Sequence, residues 1–246
     1  MELLEKRRKQ LLEMYIQYQS ELQEKCPQLV KEGYSHPYYL HIPKQWFTRK
    51  YRVLIVGEEG YGVSAHDVSI ADAQIFNKEY MLSQLGLSSV YTRNNSPFWN
   101  RIRKIHALIG AENVSITWTN IDKIHRSRIG SCQLRTQDRK SLHKTPTRIL
   151  EEEVKLLFPT HVIYFGWYGI SLRGELPEVF QALYPGGLRD YSEWKDCKLV
   201  TIEQENIHHI FTYHPSWGQR QKNYEERVLG AIRETLSMQR EIDYDR

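Results

Sequence analysis

Apolar residues follow two patterns along the chain. In the first they recur three, four or seven positions apart between charged residues. Leu4, Leu11, Tyr15, Tyr18 and Leu22 do so over 2–25 and predict an amphipathic helix that Pro27 ends. Phe98, Ile102, Ile105 and Ile109 predict a second helix, with Ser96 as its cap, Pro97 in its first turn and Gly110 at its close. Leu150, Val154 and Leu157 predict a third between Pro146 and Pro159, and Tyr224, Val228, Ile232 and Leu236 a fourth over about 221–238. The second pattern is the short unbroken apolar run. Tyr51–Val56, Val114–Trp118, His161–Phe165, Lys198–Ile202 and Ile207–Tyr213 read as strands, with Gly57 and Gly166 as stops. The Gly-, Ser- and Asp-rich stretch after Gly57 reads as a loop. Solid rather than alternating strands, interleaved with helices, predict an α/β sandwich around a mostly parallel sheet.

Composition narrows this without changing it. The chain has 246 residues and a net charge of +4, with 40% hydrophobic and 26% charged residues. Those values exclude disordered, collagen-like and coiled-coil chains. No run approaches the roughly 18 apolar residues of a membrane span. The charged start, Met1-Glu2-Leu3-Leu4-Glu5-Lys6-Arg7-Arg8, lacks the apolar core of a signal peptide, so a cytoplasmic protein with no membrane contact is expected. Cys26, Cys132 and Cys197 lie far apart and form no CxxC pair, which suits a reducing compartment. Charge is uneven: Lys123, Arg126, Arg128, Arg135, Arg139, Lys140, Lys144 and Arg148 face one acid, Asp138, within 123–148. With 16 Tyr and 6 Trp in the chain, this basic stretch fits nucleic-acid binding, or else a solvated loop.

Parallel sheets bind ligands beyond the carboxyl ends of their strands. Three strands here end in polar residues. The first runs into Gly57-Glu58-Glu59-Gly60-Tyr61-Gly62, where glycines permit close approach and Glu58 and Glu59 offer acid–base chemistry; an ordinary acidic turn is the plain alternative. It lacks the spacing of a phosphate loop. The second runs into Thr119-Asn120-Ile121-Asp122-Lys123. The Asn120 amide carries a donor and an acceptor suited to a nucleobase edge, or else serves as a turn former, and Asp122 and Lys123 are expected on the outside. The third runs into His214-Pro215-Ser216-Trp217. Here His214 can donate to an oxygen that gains charge, or be a plain turn residue, and Pro215 and Ser216 are expected to force a tight loop rather than a helix. His208 and His209 alternate across a strand, which argues against a shared metal.

Taken together and in this order, the motifs resemble the uracil-DNA glycosylase superfamily. Val56-Gly57-Glu58-Glu59-Gly60-Tyr61 is similar to its first motif, Trp118-Thr119-Asn120 with the following Ile-Asp-Lys to its middle strand end, and His214-Pro215-Ser216 to its last motif. Ser96-Pro97-Phe98-Trp99 resembles the aromatic helix start of the mismatch-specific branch, and Leu150–Gly166 the helix–strand unit before the last motif. The likeness covers about residues 50–235. It implies a three-layer α/β/α sandwich with a central, mostly parallel four-stranded sheet over 50–246, and leaves 1–49 as an N-terminal helical extension. Gly60 stands where the family has Pro, Gly62 where the main branch has His, and Glu59 where it has Asp.

The resemblance implies a monofunctional DNA glycosylase that flips out a modified or damaged pyrimidine, hydrolyses its N-glycosidic bond and leaves an abasic site. Glu59 or Asp67 would position the water, Glu58 would hold the loop and base, and His214 would donate to the leaving base. Asn120 would read the base edge, and Tyr61 or Phe76 would stack on the base. Lys123, Arg126, Arg128, Ser216, Trp217 and Arg220 would contact DNA, with Trp217 as the wedge. No cofactor, metal or obligate protein partner is implied, and the protein would act as a monomer. Two glycines flanking Tyr61 keep open a larger base, such as a 5-substituted cytosine of bacteriophage DNA excised in antiviral defence. A catalytically silent nucleic-acid-binding module on the same fold, or a doubly wound nucleotide-binding domain, are the other readings.

Overall fold

The computed structural model describes residues 2–25, 27, 38–59, 69–123, 149–165, 191–194, 199–204, 206–218 and 223–238. In chain order these form α1 (Glu2–Lys25), β1 (Tyr51–Glu59), α2 (Ile70–Leu85), α3 (Pro97–Ile109), β2 (Val114–Asp122), α4 (Ile149–Leu157), β3 (His161–Phe165), β4 (Tyr191–Trp194), β5 (Leu199–Gln204), β6 (Ile207–Thr212) and α5 (Tyr224–Met238). The strands make one sheet in the order β2-β1-β3-β6-β5-β4. The first four in that order run parallel. This is the expected parallel core of a three-layer α/β/α sandwich. The sheet then continues beyond the four expected strands, because β5 pairs antiparallel to β6 and β4 antiparallel to β5.

Each face of the parallel strands carries its own core. Leu54 and Val56 of β1, Val162 and Tyr164 of β3 and Phe211 of β6 pack against α1, α4 and the 39–46 segment. Their strand neighbours Val53, Ile55, Ile163, Phe165 and Ile210 pack instead against α3 and α5. This period-two division explains the solid apolar runs: both faces of these strands are covered. Leu4, Leu11, Tyr15, Tyr18 and Leu22 are all buried, so α1 forms part of one helical layer, against α4.

Local signals account for most helix ends. Ser96 Oγ accepts from Trp99 N at the start of α3, Pro97 fills the first turn, and Gly110 closes the helix at a φ of 88°. The stretch expected as a loop after β1 contains α2. Ser69 Oγ accepts from Asp72 N at 3.1 Å and donates to Asp72 Oδ2 at 2.6 Å, a capping arrangement. Gly86 ends α2 in the left-handed conformation. Its buried face includes Asn77, Ser83 and Gln84 beside Met81, which is why its apolar periodicity is faint.

Candidate nucleobase site at the carboxyl edge of the sheet

The parallel register brings the strand ends to one edge. Gly57 lies opposite Asn120 across β1 and β2, Glu59 lies opposite Asp122, and Phe165 of β3 lies opposite Thr212 of β6. His214 follows two residues after Thr212. The start of α3 stands over this edge and supplies Phe98. The Phe98 ring stacks on the His214 ring with centroids 5.9 Å apart and planes 12° apart. It also meets Trp118 at 6.1 Å and Phe165 at 5.7 Å. A Cβ added to Gly57 would stand 3.5 Å from Phe98 and only 2.6 Å from Asn120 Oδ1. Glycine at 57 is therefore what lets the Asn120 amide lie over β1.

Asn120 is 1% exposed. Its Oδ1 accepts from Trp118 Nε1 at 3.1 Å, while its Nδ2 is buried with no hydrogen-bond partner. A buried amide NH2 without a partner costs about 1–3 kcal/mol. Such a group calls for an explanation, and a ligand that accepts from it is one. Around it the walls are aromatic: Trp118 packs on Tyr38 at 4.4 Å and Trp99 at 5.0 Å.

His214 is partly buried, and burial lowers its pKa below the ordinary 6.5. The imidazole is thus neutral at pH 7. Its Nδ1 accepts from Ser216 N at 3.3 Å, which leaves the proton on Nε2. Ser216 itself is exposed. The residues after His214 form a helical turn, Pro215–Gly218, that packs against α3. This corrects the expected tight loop: Pro215 supplies the preset φ of a helical first turn.

On the other face of β2 the structure overturns a second expectation. Lys123 is not on the outside but 3% exposed. Its Nζ donates to Glu153 Oε2 of α4 at 2.6 Å and also to Thr119 Oγ1. Thr119 Oγ1 donates to the same carboxylate oxygen at 2.9 Å, and Tyr15 OH donates to Glu153 Oε1 at 2.5 Å. The Tyr15 hydroxyl also accepts from Leu40 N at 2.9 Å. A long side chain just past the end of β2 can fold back to Thr119, and a buried carboxylate on α4 requires a cation. Lys123 is accordingly withdrawn from the DNA-contacting set.

The described residues settle the other sequence-predicted positions unevenly. Glu58 and Glu59 are the last two residues of β1, and their side chains lie outside the described part. Tyr61, Asp67, Arg126, Arg128 and Arg220 lie outside it altogether, as does the side chain of Trp217. Phe76 is half-buried on α2, its ring against Tyr80 at 6.0 Å and Tyr91 at 5.2 Å. Phe98 is the aromatic ring that meets both His214 and Trp118. Its signal was already in the Ser96-Pro97-Phe98-Trp99 helix start; only the sheet order shows that this start overhangs the strand ends. His208 and His209 lie on opposite faces, as alternation requires: His208 stacks on His161 at 4.9 Å, and His209 on Tyr164 at 6.0 Å. Among the described residues no cluster of His, Cys, Asp and Glu could hold a metal.

No family model and no curated protein matches the chain. The description of the site thus rests on its own geometry. A separate cleft of about 720 Å³ lies between α1, α2 and the 41–48 segment, with Leu3, Leu11 and Ile75 in its lining. Three of its charged residues are paired, Arg8 with Glu5 at 2.9 Å and Lys78 with Glu79 at 3.1 Å. No unpartnered buried polar atom lines it among the described residues, in contrast to the Asn120 edge. No helix among the described residues is long and apolar enough to cross a membrane.

Proposed function

We propose that the protein is a monofunctional DNA glycosylase and that the carboxyl edge of its sheet is the base pocket. The observation that carries this reading is the unpartnered Asn120 NH2, buried at the strand edge over which Phe98, stacked on His214, stands. A flat heterocycle needs an aromatic surface to stack on and polar groups at its rim, and this edge offers both. Phe98 stacks on the flipped base, Asn120 donates to its edge, and the neutral His214 donates from Nε2 to the base oxygen as negative charge develops there.

Hydrolysis breaks the bond between the base nitrogen and the sugar carbon. Water supplies hydroxide to the sugar and a proton to the base, so the reaction as written needs no cofactor. Glu59 or Asp67 positions that water and stabilises the positive sugar. DNA is the partner. Ser216, Arg220, Arg126 and Arg128 contact it, Trp217 is the wedge, and the protein works as a monomer. The base must leave the stack to reach such a pocket, and it is a modified or damaged pyrimidine.

The test is base release from oligonucleotides containing uracil or 5-substituted cytosine, scored as alkali-labile sites. Release from one of them is expected, with His214→Ala slower by about 10²–10³-fold. Of Glu59→Gln and Asp67→Asn, the one that abolishes release identifies the acid. Salt-sensitive DNA binding with no release from any substrate would instead mark a silent binding module.

A further inference from the structure

We propose that Trp118 is a positioning residue whose indole N–H sets the orientation of the Asn120 carboxamide, so that the pocket is met first by a donor and selects a ring edge that leads with an acceptor. This rests on the base-pocket reading and deepens it. A carboxamide has two orientations of nearly equal shape, related by a half-turn. One of them would set the Asn120 NH2 against the Trp118 N–H, two donors facing each other. The other is the one found, with Oδ1 accepting from Trp118 Nε1 at 3.1 Å. Two further features hold it. Asn120 Oδ1 lies 2.6 Å from where a Cβ on residue 57 would be, a space open only because that residue is glycine. Trp118 is itself wedged between Tyr38 and Trp99, so the indole cannot follow a rotating amide. Nδ2 is left as the unpartnered atom. A carbonyl oxygen or an unprotonated ring nitrogen satisfies it. An amino group in the same place leaves two donors opposed in a buried site and is rejected.

The decisive variant is Trp118→Phe, which keeps a ring against Tyr38 and Trp99 and removes the N–H. Two readouts are needed, one of them independent of activity. In the full chain labelled with 15N-tryptophan, the indole signal missing from Trp118→Phe identifies Trp118. That signal is expected to exchange with solvent at least about tenfold faster in Asn120→Leu, where the acceptor is gone. Unchanged exchange would overturn the proposal. On oligonucleotides carrying a single uracil or a single cytosine, Trp118→Phe is expected to shrink the preference for uracil by about tenfold or more, because the freed amide can turn. An equal loss on both bases would assign Trp118 to packing alone and overturn the proposal. A wild-type protein that releases neither base would refute the glycosylase reading instead. The same ratio, read from equilibrium binding of the two oligonucleotides, then decides the role of Trp118.

Discussion

The two faces of β2 near its carboxyl end are built from the same strand and behave in opposite ways. On the α4 side, Thr119, Lys123, Glu153 and Tyr15 form a buried network in which the carboxylate accepts from a lysine, a threonine and a tyrosine. On the α3 side, one residue along the strand, Asn120 accepts one bond and leaves its NH2 with none. Both environments are buried, and polar groups are costly in either. The difference teaches which of them is scaffold. A satisfied buried network fixes α1, α4 and β2 to one another, whereas the unsatisfied amide beside aromatic rings is the feature on which the proposed base pocket rests.

Breaking the satisfied side has the largest expected effect. Glu153→Ala removes the carboxylate that faces the buried Lys123 cation and is expected to cost about 3–5 kcal/mol, measured by urea unfolding. Replacing both partners, Lys123→Met with Glu153→Leu, should recover part of that loss, because no buried charge remains while the Tyr15 and Thr119 hydroxyls still lose their acceptor. A double variant as unstable as Glu153→Ala would mean that the charge pair itself contributes nothing to the loss.

Acid provides a second way to separate regions, this time the two edges of the sheet. At the amino edge burial, reinforced by the neighbouring His208, pushes His161 down to about 3, and it pushes His209, one register position further on, down to about 3 as well. Both are neutral when folded and take up protons when unfolded. Their contribution is therefore present above the unfolded value of about 6.5 and is lost as pH falls towards about 3, by roughly 1.4 kcal/mol per pH unit for each group. Unfolding midpoints that stay level from pH 7 to pH 4 would contradict this. At the carboxyl edge His214 is also held neutral by burial, so base release is expected to change little between pH 7 and pH 8.

A smaller effect is expected at Gly57. Gly57→Ala places a methyl 2.6 Å from Asn120 Oδ1 and is expected to cost about 1–3 kcal/mol, with base release lost as the amide is displaced.

Much of this contrast lay beyond a reading of the sequence, for identifiable reasons. Elements with local signals were legible: the Ser96–Pro97 start and Gly110 stop of α3, the apolar run of His161–Phe165, and the buried stripe of α1. α2 was not, because Asn77 and Gln84 occupy its buried face, where they donate to the carbonyls of Tyr39 and Thr92. Its Ser69–Asp72 cap was the available clue. Edge strand β4, Tyr191–Trp194, is short and carries polar Ser192 and Glu193. Asn120 and His214 stood out as strand-end polar residues, and the sheet order does bring both strand ends to one edge. Lys123 was misplaced because its partner lies 30 residues away on another element, a pairing no local pattern encodes.

The most direct test of the central claim is Asn120→Leu, measured for stability and base release in the same preparation. The account predicts a chain within about 1 kcal/mol of wild type, because the unpaired Asn120 NH2 is gone while the buried Trp118 N–H loses its acceptor, with base release from the wild-type substrate abolished. A variant that is strongly destabilised, or that releases base at the wild-type rate, would contradict the claim that Asn120 is held unsatisfied for a ligand.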